Sequence, residues 1–128
     1  MISADTNVLV RALIDDPGEP RQTAAARASL KKAGEVYVTQ IVQVELVWVL
    51  EAAHALRREE VLGVLEHLQN NAAFHLQHRD HFDAAVDSYR VAGADFSDYL
   101  ILAESKARGA ELLTFDKRLL KSTGTKAP

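Results

Sequence analysis

The stretch "MISADTNVLVR", residues 1–11, decides how the rest of the chain is read. Ile2 to Ala4 form a short β-prone run, and Asp5 stands where it ends. Thr6 and Asn7 then turn the chain into Val8-Leu9-Val10 and Ala12-Leu13-Ile14, whose apolar spacing predicts a helix over about residues 7–14. Asp, Thr and Asn accept hydrogen bonds from the free N–H groups of a first helical turn, so a helix cap is one explanation of Asp5. The other depends on which further carboxylates the fold gathers.

The same strand-then-helix pattern repeats along the chain. Strands are expected at Ile2 to Ala4, Val36 to Thr39, Ala73 to Gln77 and Glu111 to Phe115; helices at about 7–14, 20–33, 40–55, 58–70, 80–90, 97–108 and 116–121. Strands separated by helices require crossovers, and hence a mostly parallel sheet covered on both faces. The expected fold class is α/β: a single three-layer α/β/α domain over residues 1–122, with a sheet of four or five strands. Within "STGTKAP" (122–128), residues 123–128 read as a short polar tail, with the sheet stopping at four strands. "DDPGEP" (15–20) and "VAGADFSD" (91–98) are turns too short to be linkers between domains.

Bulk properties set bounds. A chain of 128 residues, 48% hydrophobic and 26% charged, buries one real core. There are no cysteines, which removes disulfides, thiolate metal sites and cysteine nucleophiles together. No apolar run is long enough to span a bilayer and no basic segment precedes Asp5, so a cytoplasmic protein without membrane contact is expected. The net charge of −3 offers no global attraction for nucleic acid, so such a substrate needs local basic patches or bridging cations.

Four acids fall at strand ends or on inward helix positions of this scheme. In "QIVQVELVWVLEAA" (40–53), helical periodicity puts Gln40, Gln43 and Glu51 on one side, and Glu45 among Ile41, Val42, Trp48, Val49 and Ala52 on the side assigned to the core. A carboxylate there must be paired, neutralised or metal-bound. In "ADFSDYLILAES" (94–105), Asp95 and Asp98 have capping-box spacing, yet Asp98 also aligns with Ile101, Leu102 and Ser105 and so faces inward. In "ELLTFDKRLL" (111–120), Asp116 either caps the last short helix or follows the last strand into the crevice that begins at Asp5. Four carboxylates in one crevice repel one another unless a hard divalent cation, Mg²⁺ or Mn²⁺, lies among them, and such a centre suits phosphate chemistry.

"ADTNVLVR", "VQVELVWVL", "DFSDYLILAES" and "LLTFDKRL", in that order and at these spacings, resemble the PIN-domain ribonucleases, specifically the VapC-type toxins of toxin–antitoxin pairs. The resemblance implies a Mg²⁺-dependent endoribonuclease with Asp5, Glu45, Asp98 and Asp116 as its acidic quartet and Asn7 and Thr114 as supporting polar groups. It also implies a homodimer and a small antitoxin that covers the site. The implied reaction is hydrolysis of an RNA phosphodiester by activated water, leaving a 5′-phosphate and a 3′-hydroxyl. Arg11, one helical turn beyond Asn7, and Lys117 and Arg118, directly after Asp116, are the candidates for holding flanking phosphates; solvated helix surface is the competing reading of each.

His75, His78 and His81 in "HLQHRDH" tempt toward a second metal site, but the segment leaves a strand and enters a helix, so the rings need not converge. Trp48 lies in an apolar stripe and is read as core, with an interface as the minority reading. Two rival functions share the fold class. A receiver domain wants an acidic pair after the first strand, and a haloacid-dehalogenase-like phosphatase wants Asp-x-Asp there, whereas the chain has Asp5-Thr6-Asn7. A non-catalytic interaction module needs none of the acids.

Overall fold

The computed structural model describes residues 1–128, which divide into two compact units, Met1–Gln77 and His78–Pro128. The first unit runs β1 (Ile2–Ser3), α1 (Thr6–Leu13), α2 (Pro20–Ala33), β2 (Val36–Val38), α3 (Gln40–Ala52), α4 (Arg58–Asn70) and β3 (Phe74–Leu76). Its strands form a parallel sheet of order β1-β2-β3, with Ile2 opposite Val36 and Val36 opposite Phe74. Each parallel step is bridged by two helices, as a parallel pairing demands. Val36, Val38, Phe74 and Leu76 are buried in the sheet, and Leu9, Leu46, Leu50, Val61, Leu65 and Leu68 are buried on the helices. Pro20 opens α2, where the missing N–H costs no helical bond, and Gly34 ends it with φ of +76°.

The second unit contains α5 (Arg79–Val91), α6 (Phe96–Ala107), β4 (Leu112–Leu113), a 3-10 turn at Leu119–Lys121 and β5 (Thr125–Lys126). Its core is aromatic. The Phe96 ring meets Phe82 and Tyr89 edge-on, at 5.7 and 6.0 Å between ring centres. The buried Tyr99 hydroxyl oxygen accepts the Ala94 N–H at 3.1 Å, so this polar tip is satisfied inside the core.

The α/β class with parallel strand pairing is as the sequence predicts, and the helices fall within a few residues of their expected bounds. Three details differ. The strands group as a three-stranded and a two-stranded sheet rather than one continuous sheet of four or five. The polar tail is not structureless: Thr125 and Lys126 pair in parallel with Leu112 and Leu113, and the Thr125 hydroxyl donates to the Ser122 carbonyl at 2.8 Å. Backbone bonds hold this strand, so its side chains carry no apolar signature.

The third difference is the orientation of α3. Its buried residues are Val42, Gln43, Leu46, Val47 and Leu50, while Ile41, Glu45 and Trp48 are exposed. The helix is apolar almost all round, so periodicity had little contrast to work with. Gln43 turns inward because its Nε2 donates to the carbonyls of Val38 (3.3 Å) and Gln77 (2.9 Å), at the ends of β2 and β3. A buried amide that closes two strand ends outweighs the transfer of a nearby apolar side chain to water.

Candidate active site

In the first unit, Ala4 is tied to the sheet by its N–H, which donates to the Tyr37 carbonyl at 3.3 Å, and this fixes the exit of β1. Asp5 follows as the N-cap of α1, with its Oδ1 accepting the Val8 N–H at 3.0 Å. The cap explanation is therefore correct as far as that one oxygen goes; Oδ2 is left for other work. Thr6, the first residue of the helix, points its hydroxyl at α3 and donates to Glu45 Oε1 at 3.1 Å. Glu45 is thus exposed and oriented by a neighbour of Asp5, not buried as the helical pattern suggested. Thr6 is a residue that sequence reasoning passed over as a turn former. Asn7 is exposed on the next position and lines a cleft of about 740 Å³ together with Asp5, Val8 and Arg11.

Arg11 is more constrained than a free phosphate ligand. Its Nη1 lies 2.6 Å from Asp16 Oδ2 and its Nε donates to Gln22 Oε1 at 3.0 Å, tying α1 to the following turn and to α2.

In the second unit, Asp95 and Asp98 stand at the start of α6. Asp95 is the N-cap residue but makes no side-chain cap bond. Asp98, in the first turn, is half-buried. Burial pushes its carboxyl above the usual carboxylate range, and the charges of Asp95 and Asp116 push it the same way; the Asp95 N–H and Arg118 offset part of this. Asp116 behaves in the opposite sense. The Leu119 N–H holds its carboxyl below the usual range against partial burial, with help from the Arg118 N–H and guanidinium. The two N–H groups lie 3.1 and 2.8 Å from Asp116 Oδ1, and Arg118 Nη2 lies 3.6 Å from Oδ2. Thr114 supports this turn: its hydroxyl oxygen accepts the Asp116 N–H at 3.0 Å. Lys117 is exposed beside them.

The histidines do not form a triad. His75 pairs with Glu35 at 3.2 Å, whereas the His78 and His81 rings lie 5.6 Å apart and His81 Nδ1 is 3.8 Å from Glu104. No group of three or more His, Asp or Glu side chains is arranged as a formed metal cage. The donor chemistry nevertheless fits a hard divalent cation. Asp98 and Asp116 are carboxylates close enough for the charge of one to disfavour ionisation of the other, and Arg118 is the cation that opposes them. An added cation relieves that repulsion.

A small α/β protein with carboxylates at the ends of its strands and the starts of its helices is what these units describe, and the family model for the PIN domain matches residues 2–124. The chain belongs to the PIN domain family. It is also similar to a VapC ribonuclease of Aquifex aeolicus (strain VF5), with 27% identity over 119 residues that cover 91% of this chain and 88% of the relative. No helix is long and apolar enough to cross a membrane.

Proposed function

We propose that the protein is a Mg²⁺-dependent endoribonuclease, the toxin of a toxin–antitoxin pair, in which Asp5 and Glu45 of the first unit and Asp98 and Asp116 of the second are the acidic residues. The observation that carries this reading is the grouping of Asp95, Asp98 and Asp116, where burial first and the charges of Asp95 and Asp116 next push the Asp98 carboxyl up despite Arg118. Membership of the PIN family and similarity to a VapC ribonuclease support it. When bound, Mg²⁺, or Mn²⁺ in its place, supplies a Lewis acid that lowers the pKa of water and offsets phosphate charge. Asp5 and Glu45 in the first unit, and Asp98 and Asp116 in the second, are the carboxylates that would serve as its ligands.

The chain's own residues do the positioning. Thr6 holds Glu45 through one oxygen and leaves the other free. Two backbone N–H groups hold Asp116 Oδ1 and leave Oδ2 toward Arg118. Lys117 and Arg118 hold the phosphate that flanks the scissile bond. In the net hydrolysis a water oxygen bonds to phosphorus, the P–O3′ bond breaks, and the leaving 3′ oxygen takes a proton. The protein works in the cytoplasm as a homodimer and is silenced by a small antitoxin protein. Ile41 and Trp48, 73% and 55% exposed on α3, are apolar surface that such partners cover.

Cleavage of a mixed RNA substrate tests the reading. Wild type cuts in Mg²⁺ and not in EDTA, and Asp98→Asn loses at least about a hundredfold, a barrier increase of about 2.7 kcal/mol. Undiminished cutting by Asp98→Asn, or by wild type in EDTA, refutes the assignment.

A further inference from the structure

The cleft beside Asp5 has a chemistry of its own. At about 740 Å³ it lies within the ~300–1,000 Å³ of small-ligand sites. One part of its lining is apolar yet solvent-accessible: Ile2 and Val8 are 39% and 36% exposed there. Another part is polar: besides Asp5, Asn7 and Arg11 it includes Glu19 and Gln22, three residues apart and hence neighbours at the start of α2. Apolar surface for a flat ring to lie on, with polar groups for its edge to meet, suits an unstacked nucleobase, the form in which single-stranded RNA is read.

The polar edge is not symmetric. Glu19 is half-buried at the N-cap position but makes no side-chain cap bond, so both its oxygens remain as acceptors. Gln22 has its carbonyl oxygen taken by Arg11 Nε at 3.0 Å, and Arg11 is itself held by Asp16. That bond settles which way the Gln22 amide faces: its NH₂ is the group left to offer. The edge therefore presents two acceptors beside a donor. Guanine complements this with N1–H and N2–H against the carboxylate and O6 against the amide, three bonds in all. Adenine, cytosine and uracil each combine a single donor position with an acceptor there, and fall one bond short.

We infer that this cleft seats a guanine of the RNA strand, next to the bond cut at Asp5, and that Glu19 and Gln22 read it while Arg11 positions Gln22. The inference rests on the nuclease reading for its substrate, and gives that reading a sequence preference.

Two measurements on the whole protein test it. RNAs randomised at their central positions are digested in Mg²⁺ and the cut ends sequenced; separately, GMP, AMP, CMP and UMP are titrated while the Gln22 side-chain amide is followed by nitrogen-15 NMR. Guanine is expected at one position fixed relative to the cut, favoured about tenfold or more over the other bases. GMP is expected to move the Gln22 amide at concentrations where the other nucleotides do not. Glu19→Gln, and independently Arg11→Met, are expected to bring the guanine ratio below about threefold, a change that a loss of stability alone does not produce. Cutting with no guanine preference, or a preference unchanged by Glu19→Gln, overturns the assignment and leaves the nuclease standing. No cutting, with a GMP-selective shift at Gln22, supports the base site and overturns the nuclease; no cutting and no shift overturns both.

Discussion

Asp5 caps α1 and is proposed to hold metal through the same carboxylate, and substitutions separate the two roles. Its Oδ1 accepts the Val8 N–H at 3.0 Å and closes the first turn of α1. Asp5→Ala removes that acceptor. At an N-cap the loss is about 1 kcal/mol. For 128 residues, an unfolding entropy of about 2.1 cal/mol/K per residue converts this to a drop of about 4 °C in Tm. Asp5→Asn keeps an oxygen where Oδ1 stands and removes the charge, so its Tm is expected within about 1 °C of wild type. If Asp5 is a metal ligand, both variants lose Mg²⁺-dependent RNA cleavage by at least about a hundredfold, or about 2.7 kcal/mol of barrier. The assay pairs thermal melts with initial cleavage rates on one RNA. Stability and activity then part company in Asp5→Asn alone, and retained activity in that variant reduces Asp5 to a helix cap.

Further predictions concern the other acids and the core. Because the folded-state carboxyl of Asp98 titrates above its unfolded value of 3.8, its contribution is fully present below that pH and is lost as pH rises through the raised value. Asp98→Asn should accordingly melt above wild type at neutral pH in EDTA, with the advantage vanishing in melts near pH 3; no advantage at pH 7 would contradict the charge repulsion. Asp95→Asn, at a cap position without a cap bond, is expected to keep cleavage within a few-fold, and its inactivity would exchange the roles given to Asp95 and Asp98. Gln43→Ala leaves two strand-end carbonyls without their donor and opens a cavity, so denaturant melts should register a loss of about 2–4 kcal/mol. Replacing His75, His78 and His81 together with Gln should hold metal-dependent cleavage within about tenfold, a change of about 1.4 kcal/mol; a larger fall would restore the histidines to the mechanism.

Much of this architecture was legible in the residues, and what was not has identifiable causes. The boundaries of α2 and α4 match expectation because Pro20, Gly34 and the polar flanks of Arg58 to Asn70 are local signals that tertiary packing does not override. Asp5 and Asp116 as caps were legible for the same reason. The face of α3 was not, since a helix with apolar residues on every side has no preferred inward direction until Gln43 finds the carbonyls of Val38 and Gln77. Glu45, expected on the buried side, is consequently exposed. The Thr6 bond to Glu45 spans 39 positions, and no local pattern reports such a partnership. Arg11 lay on the expected face beyond Asn7, yet its engagement by Asp16 and Gln22 depends on how the α1–α2 turn closes.

Three of the four acids share a placement that explains how one chain carries them. Asp5 caps α1, Asp98 sits in the first turn of α6, and Asp116 accepts two N–H groups at the head of the last 3-10 turn. The unpaired N–H groups at a helix start carry partial positive charge, so carboxylates are stabilised there before any cation is considered. The stabilisation is unequal: Asp116, with two N–H bonds and Arg118, is held low, while Asp98, more buried and facing two other acids, is held high. Of a pair split in this way, the member held high has the more to gain when positive charge arrives. Glu45 stands apart, five residues into α3, and takes its orientation from the Thr6 hydroxyl instead of a helix end. Removing that hydroxyl with Thr6→Val should therefore change cleavage through Glu45 alone: the loss caused by Thr6→Val should disappear in a Glu45→Gln background. Additive losses in the double variant would show that Thr6 acts on something other than Glu45.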